Sequence, residues 1–247
     1  SKDFVTWTSP VEMDMGDVPP EHFYTNQTQP YYRAPHVYVS VFARFMPGRQ
    51  VLTTQQAAEA GVVGDYGGDC SDACFMTSRG NNRYDRTFLE CFIRPGRDLA
   101  NWTSRTNYPA LGVVPTGDGY MSLYVQRHYA QPSHCLERLV LRPDGFASIR
   151  GPYAGGELIT RPLSFKGAGL FLNVSTSAAG QVAVEIQSED GHPLPGYALA
   201  DCDPIVGDDL DRPVTWKRSK SVAPVAGEPV RLRVALRDAD LFAVQFR

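Results

Sequence analysis

The chain has 247 residues, with 24 Lys and Arg against 27 Asp and Glu, and a formal net charge of −3 at pH 7. Hydrophobic residues make up 43% of it, which supplies the core of one large or two modest domains and argues against wholesale disorder. The weak negative charge without a Lys/Arg run argues against nucleic-acid binding, and the strand-sized apolar runs argue against a membrane span.

Short runs rich in Val, Ile, Tyr and Phe, punctuated by Gly and Pro, predict an all-β protein. The one helix-compatible piece is Thr53–Ala60, which ends at Gly61. The strands predicted in the first part of the chain are His36–Phe45, Asp72–Arg79, Phe88–Arg94, Tyr120–Tyr129 and Leu139–Ile149, the last with a turn at Pro143-Asp144-Gly145.

A short internal repeat occurs in this first part of the chain. Arg79 and Arg127 each close a predicted strand and lie 48 residues apart, as do Arg94 and Arg142, which open the similar sequences RPG and RPDG. A period of about 40–50 residues with three or four strands is typical of propeller blades. The sequence therefore predicts propeller-like blades over residues 1–150.

A second kind of pattern begins after the Gly-rich stretch Gly151–Gly156, which is typical of a linker. Apolar residues alternate with polar ones in most of the following strands, which is the pattern of an antiparallel sheet with one solvated face. Residues 151–247 are therefore predicted to form an antiparallel β-sandwich. Its predicted strands are Leu170–Ser175, Gln181–Gln187, Val214–Trp216, Val230–Leu236 and Leu241–Phe246.

Two carboxyl groups are the first candidates for chemistry. Asp72 stands at the head of a predicted strand, and Glu90 lies inside the otherwise apolar FLECFIR. Glycoside hydrolysis needs such a pair, and burial of Glu90 would raise its pKa toward that of a general acid. The alternative for Glu90 is an ion pair with Arg79 or Arg86. His22, in a loop beside Glu21, is a third catalytic candidate.

Arginine and aromatic side chains are dense between Tyr24 and Arg105, as expected of a sugar site. For the arginines, the alternative is solvated salt bridges with Asp69, Asp72 and Asp85. For His36, the alternative is a structural role within a strand. The expected substrate-binding residues are Tyr24, Arg33, His36, Arg79, Arg83, Arg86 and Trp102.

The loop DCDPIVGDDLD carries a candidate metal site. Hard oxygen ligands at Asp201, Asp203, Asp208 and Asp209 could hold Ca²⁺, but the spacing is not that of an EF-hand, and turn-forming Asp is the commoner explanation. No other cofactor is expected, and no metal is expected in the catalytic site.

Several longer segments look familiar when read together, among them SKDFVTW, SDACFMTSRGNNRYDRTFLECFIRPG, NWTSRTNYPALGV and GGELITRPLSFKGAGLFLNVSTSAAGQVAVEIQ. This series resembles the C-terminal half of five-bladed β-propeller glycosyl hydrolase-like proteins of bacteria, related to glycoside hydrolase families 32 and 43. The resemblance implies an incomplete ring of blades followed by a sandwich. It also implies that the carboxylate carried by the first blade in those hydrolases is missing here.

The sequence is therefore compatible with three functions. The favoured one is a glycoside hydrolase that acts on an oligo- or polysaccharide with paired carboxylates. The alternatives are a glycan-binding module without catalysis and an oligomerising fragment whose open blade edges pair between copies of the chain. A periplasmic or secreted location is favoured over a cytoplasmic one, although no signal-peptide pattern opens the sequence.

Overall fold

The computed structural model describes residues 1–117, 119–217 and 219–247. It is mostly β, with three antiparallel sheets and one short α-helix among these residues, so the all-β expectation is confirmed at that level. No propeller is detected within these ranges. None of the helices in them has the length and apolarity to cross a membrane.

The chain divides into two compact units, Ser1–Leu141 and Arg142–Arg247. The division comes before the expected boundary after residue 150, because Ile149–Gly151 pairs as a strand with Ala239–Leu241 of the second unit. The strands of the first unit are β1 Gln29–Tyr31, β2 Ala34–Met46, β3 Cys70–Ser78, β4 Tyr84–Asp85, β5 Val114–Pro115, β6 Met121–Arg127 and β7 Cys135–Leu141. One sheet of this unit has the order β1-β2-β3-β4 and the other β5-β6-β7.

The register of β2 against β3 sorts the side chains of the first sheet. Arg44 lies opposite Asp72, and Phe45 lies opposite Ser71. Because successive side chains of a strand point to opposite faces, the Arg44–Asp72 pair lies on one face and the Phe45–Ser71 pair on the other. Each face carries one of the two polar clusters described below.

The predicted helix is confirmed as α1, Thr54–Glu59. Thr53 is its N-cap: the Thr53 hydroxyl accepts a hydrogen bond from the backbone N–H of Gln56, while the Gln56 side chain accepts one from the backbone N–H of Thr53. This reciprocal capping box satisfies two donors of the first turn and explains why the sequence TTQQ begins a helix here.

The prediction of a strand over Phe88–Arg94 is wrong. Only Ile93 forms a bridge, with Ala73, and the backbone around Cys91 bends, so that both Phe92 and Ile93 donate to the Ala73 carbonyl at 2.8 and 2.9 Å. Two donors on one acceptor end the regular ladder. The predicted strand Leu139–Ile149 is likewise divided, because β7 ends at Leu141 before the turn.

The second unit is one five-stranded antiparallel sheet. The strands are β8 Ile149–Gly151, β9 Gly156–Ile159, β10 Leu170–Ser188, β11 Asp208–Pro213 and β12 Val230–Phe246. The order is β11-β10-β12-β8, and β9 also pairs with β12. The expected antiparallel pairing is confirmed.

The two long strands each join a pair of predicted strands. The pairing of β10 with β12 is interrupted between Thr176 and Gln181, which is where the sequence suggested a break. The prediction of a strand at Val214–Trp216 is wrong, because β11 ends at Pro213 and Trp216 forms only isolated bridges, with Cys202 and Ser219. Its buried indole donates from Nε1 to the Val184 carbonyl at 3.0 Å. The predicted apolar face of the two strands is buried and includes Val182, Val184, Ile186, Val230, Leu232, Val234 and Leu236. The prediction of a solvated opposite face is wrong in β10, where Glu185 and Gln187 are buried as well.

The strand β7 is the edge of its sheet in the described part of the chain, where it pairs with β6. It carries the exposed side chains of Leu136 and Val140. An open edge of this kind is what the oligomer hypothesis requires, and that hypothesis stays a prediction.

We expect Ile186→Ala to lower the free energy of unfolding by about 3 kcal/mol, because the side chain is 0% exposed in the core and its removal leaves a cavity. Ile159→Ala is the matched control, since Ile159 is 51% exposed and its loss should cost under about 1 kcal/mol. Urea unfolding measures both values. Equal losses in the two variants would contradict the placement of the core.

Candidate functional site

One face of the first sheet carries an ion-pair network made of Glu21, Arg44, Asp72 and Arg86. The guanidinium of Arg44 holds Asp72 in a bidentate pair, with Nε–Oδ1 at 2.9 Å and Nη2–Oδ2 at 2.7 Å. Its remaining nitrogen, Nη1, donates to Glu21 Oε1 at 2.7 Å. The other oxygen of Glu21 accepts from Arg86 Nη1. Two cations and two anions therefore alternate along one chain of contacts.

Arg86 is the buried end of this network, with its side chain 0% exposed. The guanidinium lies 5.2 Å from the Phe23 ring and 5.3 Å from the Phe42 ring. Its Nε and Nη2 have no hydrogen-bond partner among the described residues. The charge of Arg86 thus depends on Glu21, since buried charges are tolerated only when paired.

The network also fixes the ionisation of its acids and bases. Burial raises the pKa of Glu21, but the hydrogen bonds from Arg86 and Arg44 outweigh it, and the net pKa is lowered. The hydrogen bond to Asp72 raises the pKa of Arg44. Beside them, burial raises the pKa of the Cys74 thiol to about 11. Glu21 is therefore held as a carboxylate, and the thiol is held neutral.

The opposite face carries an Arg–Tyr cluster made of Arg105, Tyr24, Tyr66 and Tyr129. The guanidinium carbon of Arg105 lies 5.0 Å from the Tyr66 ring centroid and 5.8 Å from those of Tyr24 and Tyr129. Its Nη1 donates to the Tyr66 hydroxyl at 3.0 Å. The Tyr24 ring is 52% exposed and packs 5.1 Å from the Tyr108 ring.

The backbone of Arg105 is held in an unusual conformation, with φ at +60°. Its N–H donates to Ser71 Oγ at 2.9 Å, and its carbonyl accepts from Gln126 Nε2 at 2.9 Å. Asn107, at φ +68°, donates from Nδ2 to the Ser71 carbonyl at 2.7 Å. Left-handed backbone at a residue other than Gly costs energy and is kept where the surroundings enforce it. The loop is thus fixed around Arg105.

The tyrosine hydroxyls of this face differ in acidity. Burial raises the pKa of Tyr108 to about 12. Two hydrogen bonds lower the pKa of Tyr129, the larger effect coming from Arg105 and the smaller from Tyr66. The cluster therefore offers one cation, exposed ring surface and several hydroxyls, which are the groups that a sugar or an oxyanion contacts.

Of the three predicted catalytic residues, Asp72 alone lies in the ion-pair network. Glu90 is exposed at a bend, so the burial proposed to raise its pKa is absent, and in the described part of the chain it makes no ion pair with Arg79 or Arg86. The structure therefore corrects both interpretations of Glu90. His22 is exposed, and its ring lies 6.5 Å from that of Phe45.

The predicted substrate-binding residues do not form one group. Tyr24 belongs to the Arg–Tyr cluster, and Arg86 to the ion-pair network on the other face. Arg86 is buried against Glu21, which favours the salt-bridge alternative, although with a different acid from those named. Trp102 is half-buried, and its Nε1–H donates to the Gly96 carbonyl at 2.9 Å. The remaining members are exposed: Arg33 lies between β1 and β2, His36 lies near the start of β2, and Arg79 and Arg83 lie in the turn between β3 and β4.

The acidic loop of the second unit does not gather its carboxylates. Asp203 accepts from Thr215 Oγ1 at 2.6 Å, and Asp208 pairs with Arg142 at 2.6 Å. Asp209 accepts from the backbone N–H of Asp211 at 3.0 Å, and Asp201 is half-buried. Across residues 1–117, 119–217 and 219–247, no group of three or more His, Cys, Asp and Glu could hold a metal ion.

The sequence analysis did not predict several residues that make up the ion-pair network and the Arg–Tyr cluster. Arg44 carried a usable signal, because a charged residue inside the apolar run VSVFARF needs a partner across the strand. Glu21 was noted only as a neighbour of His22. Tyr66 and Tyr129 had no signal, since nothing in the sequence relates them to Arg105. No family model, curated protein or solved structure matches this chain.

We expect Glu21→Gln to lower the free energy of unfolding by about 3 kcal/mol, because the buried guanidinium of Arg86 then lacks a counter-charge. Glu12→Gln is the control, since Glu12 is exposed and in no ion pair of the described residues. Urea unfolding at pH 7 measures both. A loss no larger than that of the control would show that the pairing does not support the fold.

The same pair predicts a pH dependence. The pKa of Glu21 is lower in the folded chain than its usual value of 4.5, so its stabilising effect is complete above that pH and is lost as the pH falls further. The difference in unfolding free energy between the wild type and Glu21→Gln should therefore be smaller at about pH 3 than at about pH 6, because these values lie below and above the usual pKa of a glutamate. A constant difference across this range would contradict the lowered pKa.

Proposed function

We propose that the first unit binds carbohydrate, with the Arg–Tyr cluster as its binding site. The observation that carries the proposal is the half-exposed ring of Tyr24 beside the guanidinium of Arg105, on a loop fixed by Ser71 and Gln126. A rigid loop loses little conformational entropy on binding, which favours affinity.

The chemistry of the cluster suits a sugar ring. The apolar C–H face of a pyranose stacks on an exposed aromatic ring, and its hydroxyls take hydrogen bonds from guanidinium and phenol groups. Tyr24 supplies the ring, and Arg105 and Tyr129 supply polar atoms next to it. The contacts of the site are therefore apolar on one side and polar on the other, as in small-molecule sites generally.

The resemblance to propeller hydrolases supports the same class of ligand. The two sheets of the first unit have four and three strands, a number close to that of one blade each. We keep the partial propeller at residues 1–150 and the sandwich at 151–247 as part of this proposal. The glycan-binding function does not depend on a closed ring.

Hydrolysis is the second candidate, and the ion-pair network favours it. Glu21 and Asp72 bind the same guanidinium of Arg44, so two carboxylates lie close together on one face. Paired carboxylates are what glycoside hydrolysis requires. Against it, the pKa of Glu21 is lowered, so Glu21 is a carboxylate at neutral pH and suits the role of base rather than acid.

We expect Tyr24→Ala to weaken glycan binding by about tenfold, since it removes the exposed ring on which the sugar stacks. Tyr153→Ala is the matched control, because Tyr153 is 73% exposed and belongs to the second unit. Retention of each variant on a panel of immobilised plant, algal and bacterial polysaccharides measures the effect. Wild-type protein that no polysaccharide on the panel retains would overturn the proposed function.

For the second candidate, we expect release of reducing sugar or aryl leaving group by the wild type, and a loss of at least about 100-fold in Asp72→Asn. Glu90→Gln should keep the rate, because Glu90 lies exposed outside the network. Thermal unfolding of each variant controls for the lost pairing with Arg44. A wild type without turnover on every substrate that it binds would leave the binding function alone.

A further inference from the structure

The charge of Arg105 is not balanced within the protein. The guanidinium groups of Arg44, Arg86, Arg127 and Arg142 each pair with a carboxylate. Three other half-buried arginines form no ion pair among the described residues, namely Arg105, Arg212 and Arg231. Of these three, Arg105 is the one that aromatic rings surround in the described part of the chain. Its neighbours are tyrosine rings, which attract a cation but leave its net charge in place.

The position of this charge is fixed before any ligand arrives. Hydrogen bonds from the Arg105 N–H to Ser71 and from Gln126 to the Arg105 carbonyl hold both sides of the residue. The side chain is held in turn by the Tyr66 hydroxyl and by the rings around it. A preorganised, partly desolvated cation interacts with an anion more strongly than a freely moving surface arginine does.

The partners of Arg105 within the cluster are phenol hydroxyls, and no carboxylate of the described residues pairs with it. Tyr129 accepts hydrogen bonds from Arg105 and Tyr66, and these lower its pKa. The phenol of Tyr108 is held neutral, because its burial raises the pKa to about 12. An anionic group on the ligand is therefore the partner that completes the site electrostatically.

We propose that the Arg–Tyr cluster selects glycans that carry an anionic substituent, a carboxylate or a sulfate, with that group on Arg105 and the sugar ring on Tyr24. This inference rests on the proposed function and adds the class of ligand to it. A planar carboxylate or a tetrahedral sulfate can each accept from a guanidinium edge, so the shared chemistry is an oxyanion beside an aromatic-stacked sugar.

The overall charge of the chain makes such a preference specific. With a net charge of −3, the protein as a whole repels polyanions, so retention on an acidic polysaccharide requires a local cationic site. The exposed arginines of the first unit provide an internal comparison. Arg97 is exposed and forms no ion pair in the described ranges, but no aromatic ring surrounds it.

The test compares polysaccharides that differ only in charge. Polygalacturonate is paired with its methyl-esterified form, and dextran sulfate with dextran, in affinity gels at low and at high salt. We expect the wild type to be retained about tenfold more strongly by the charged member of at least one pair, and to lose that preference at high salt. The pair that shows the preference distinguishes carboxylate from sulfate.

Three variants locate the effect. Arg105→Met should remove the preference for charge, Arg105→Lys should keep part of it, and Arg97→Met should keep all of it. Since Arg105→Met removes packing against three rings, its thermal unfolding is measured alongside, and the salt dependence of the wild type tests the inference without any variant.

The possible outcomes distinguish the preference for anionic glycans from glycan binding itself. Equal retention by charged and neutral members, lost in Tyr24→Ala, would overturn the anionic preference and leave glycan binding in place. A preference for charge that Arg97→Met also removes would overturn the assignment to Arg105. Failure to bind these four polysaccharides and the whole panel would overturn both proposals.

Discussion

The pairing of β2 with β3 places both the ion-pair network and the Arg–Tyr cluster of the first unit. With Arg44 opposite Asp72, the neighbouring pair must be Phe45 and Ser71, and the two pairs point to opposite faces. The first pair anchors the ion-pair network, and Ser71 anchors the loop that presents Arg105. A slip of one residue would exchange the faces and separate both clusters from their partners, so this register is the constraint on which the sites depend.

The two clusters use arginine in different ways. In the ion-pair network, each guanidinium is matched by a carboxylate, and Arg86 is wholly buried, so its part in the network is structural. In the Arg–Tyr cluster, the guanidinium of Arg105 is surrounded by rings and keeps its charge available. A buried charge needs its counter-charge, because removing one partner leaves an uncompensated charge in the interior, whereas a partly exposed charge without a partner can interact with a ligand.

The cost of the Arg105 loop supports its functional interpretation. Arg105 and Asn107 both adopt left-handed backbone, which is unfavourable for a side chain such as that of arginine. Their hydrogen bonds with Ser71 and Gln126 tie the loop to β3 and β6. Seven other residues besides glycine adopt positive φ in the described part of the chain. The functional interpretation of Arg105 therefore depends on these hydrogen bonds together with the backbone conformation.

Local patterns determined the secondary structure in this sequence. Alternation in QVAVEIQ and VRLRVAL predicted the buried apolar face of β10 and β12, and the TTQQ sequence predicted the start of α1. The strand prediction failed at the apolar run FLECFIR, where the backbone donors of Phe92 and Ile93 share the Ala73 carbonyl. That contact spans 19 and 20 residues, and no local pattern encodes it. The site was decided by tertiary structure alone. Tyr24, Tyr66, Arg105 and Tyr129 come from four separate segments, and only the folded backbone, through strand register and long-range hydrogen bonds, brings them together.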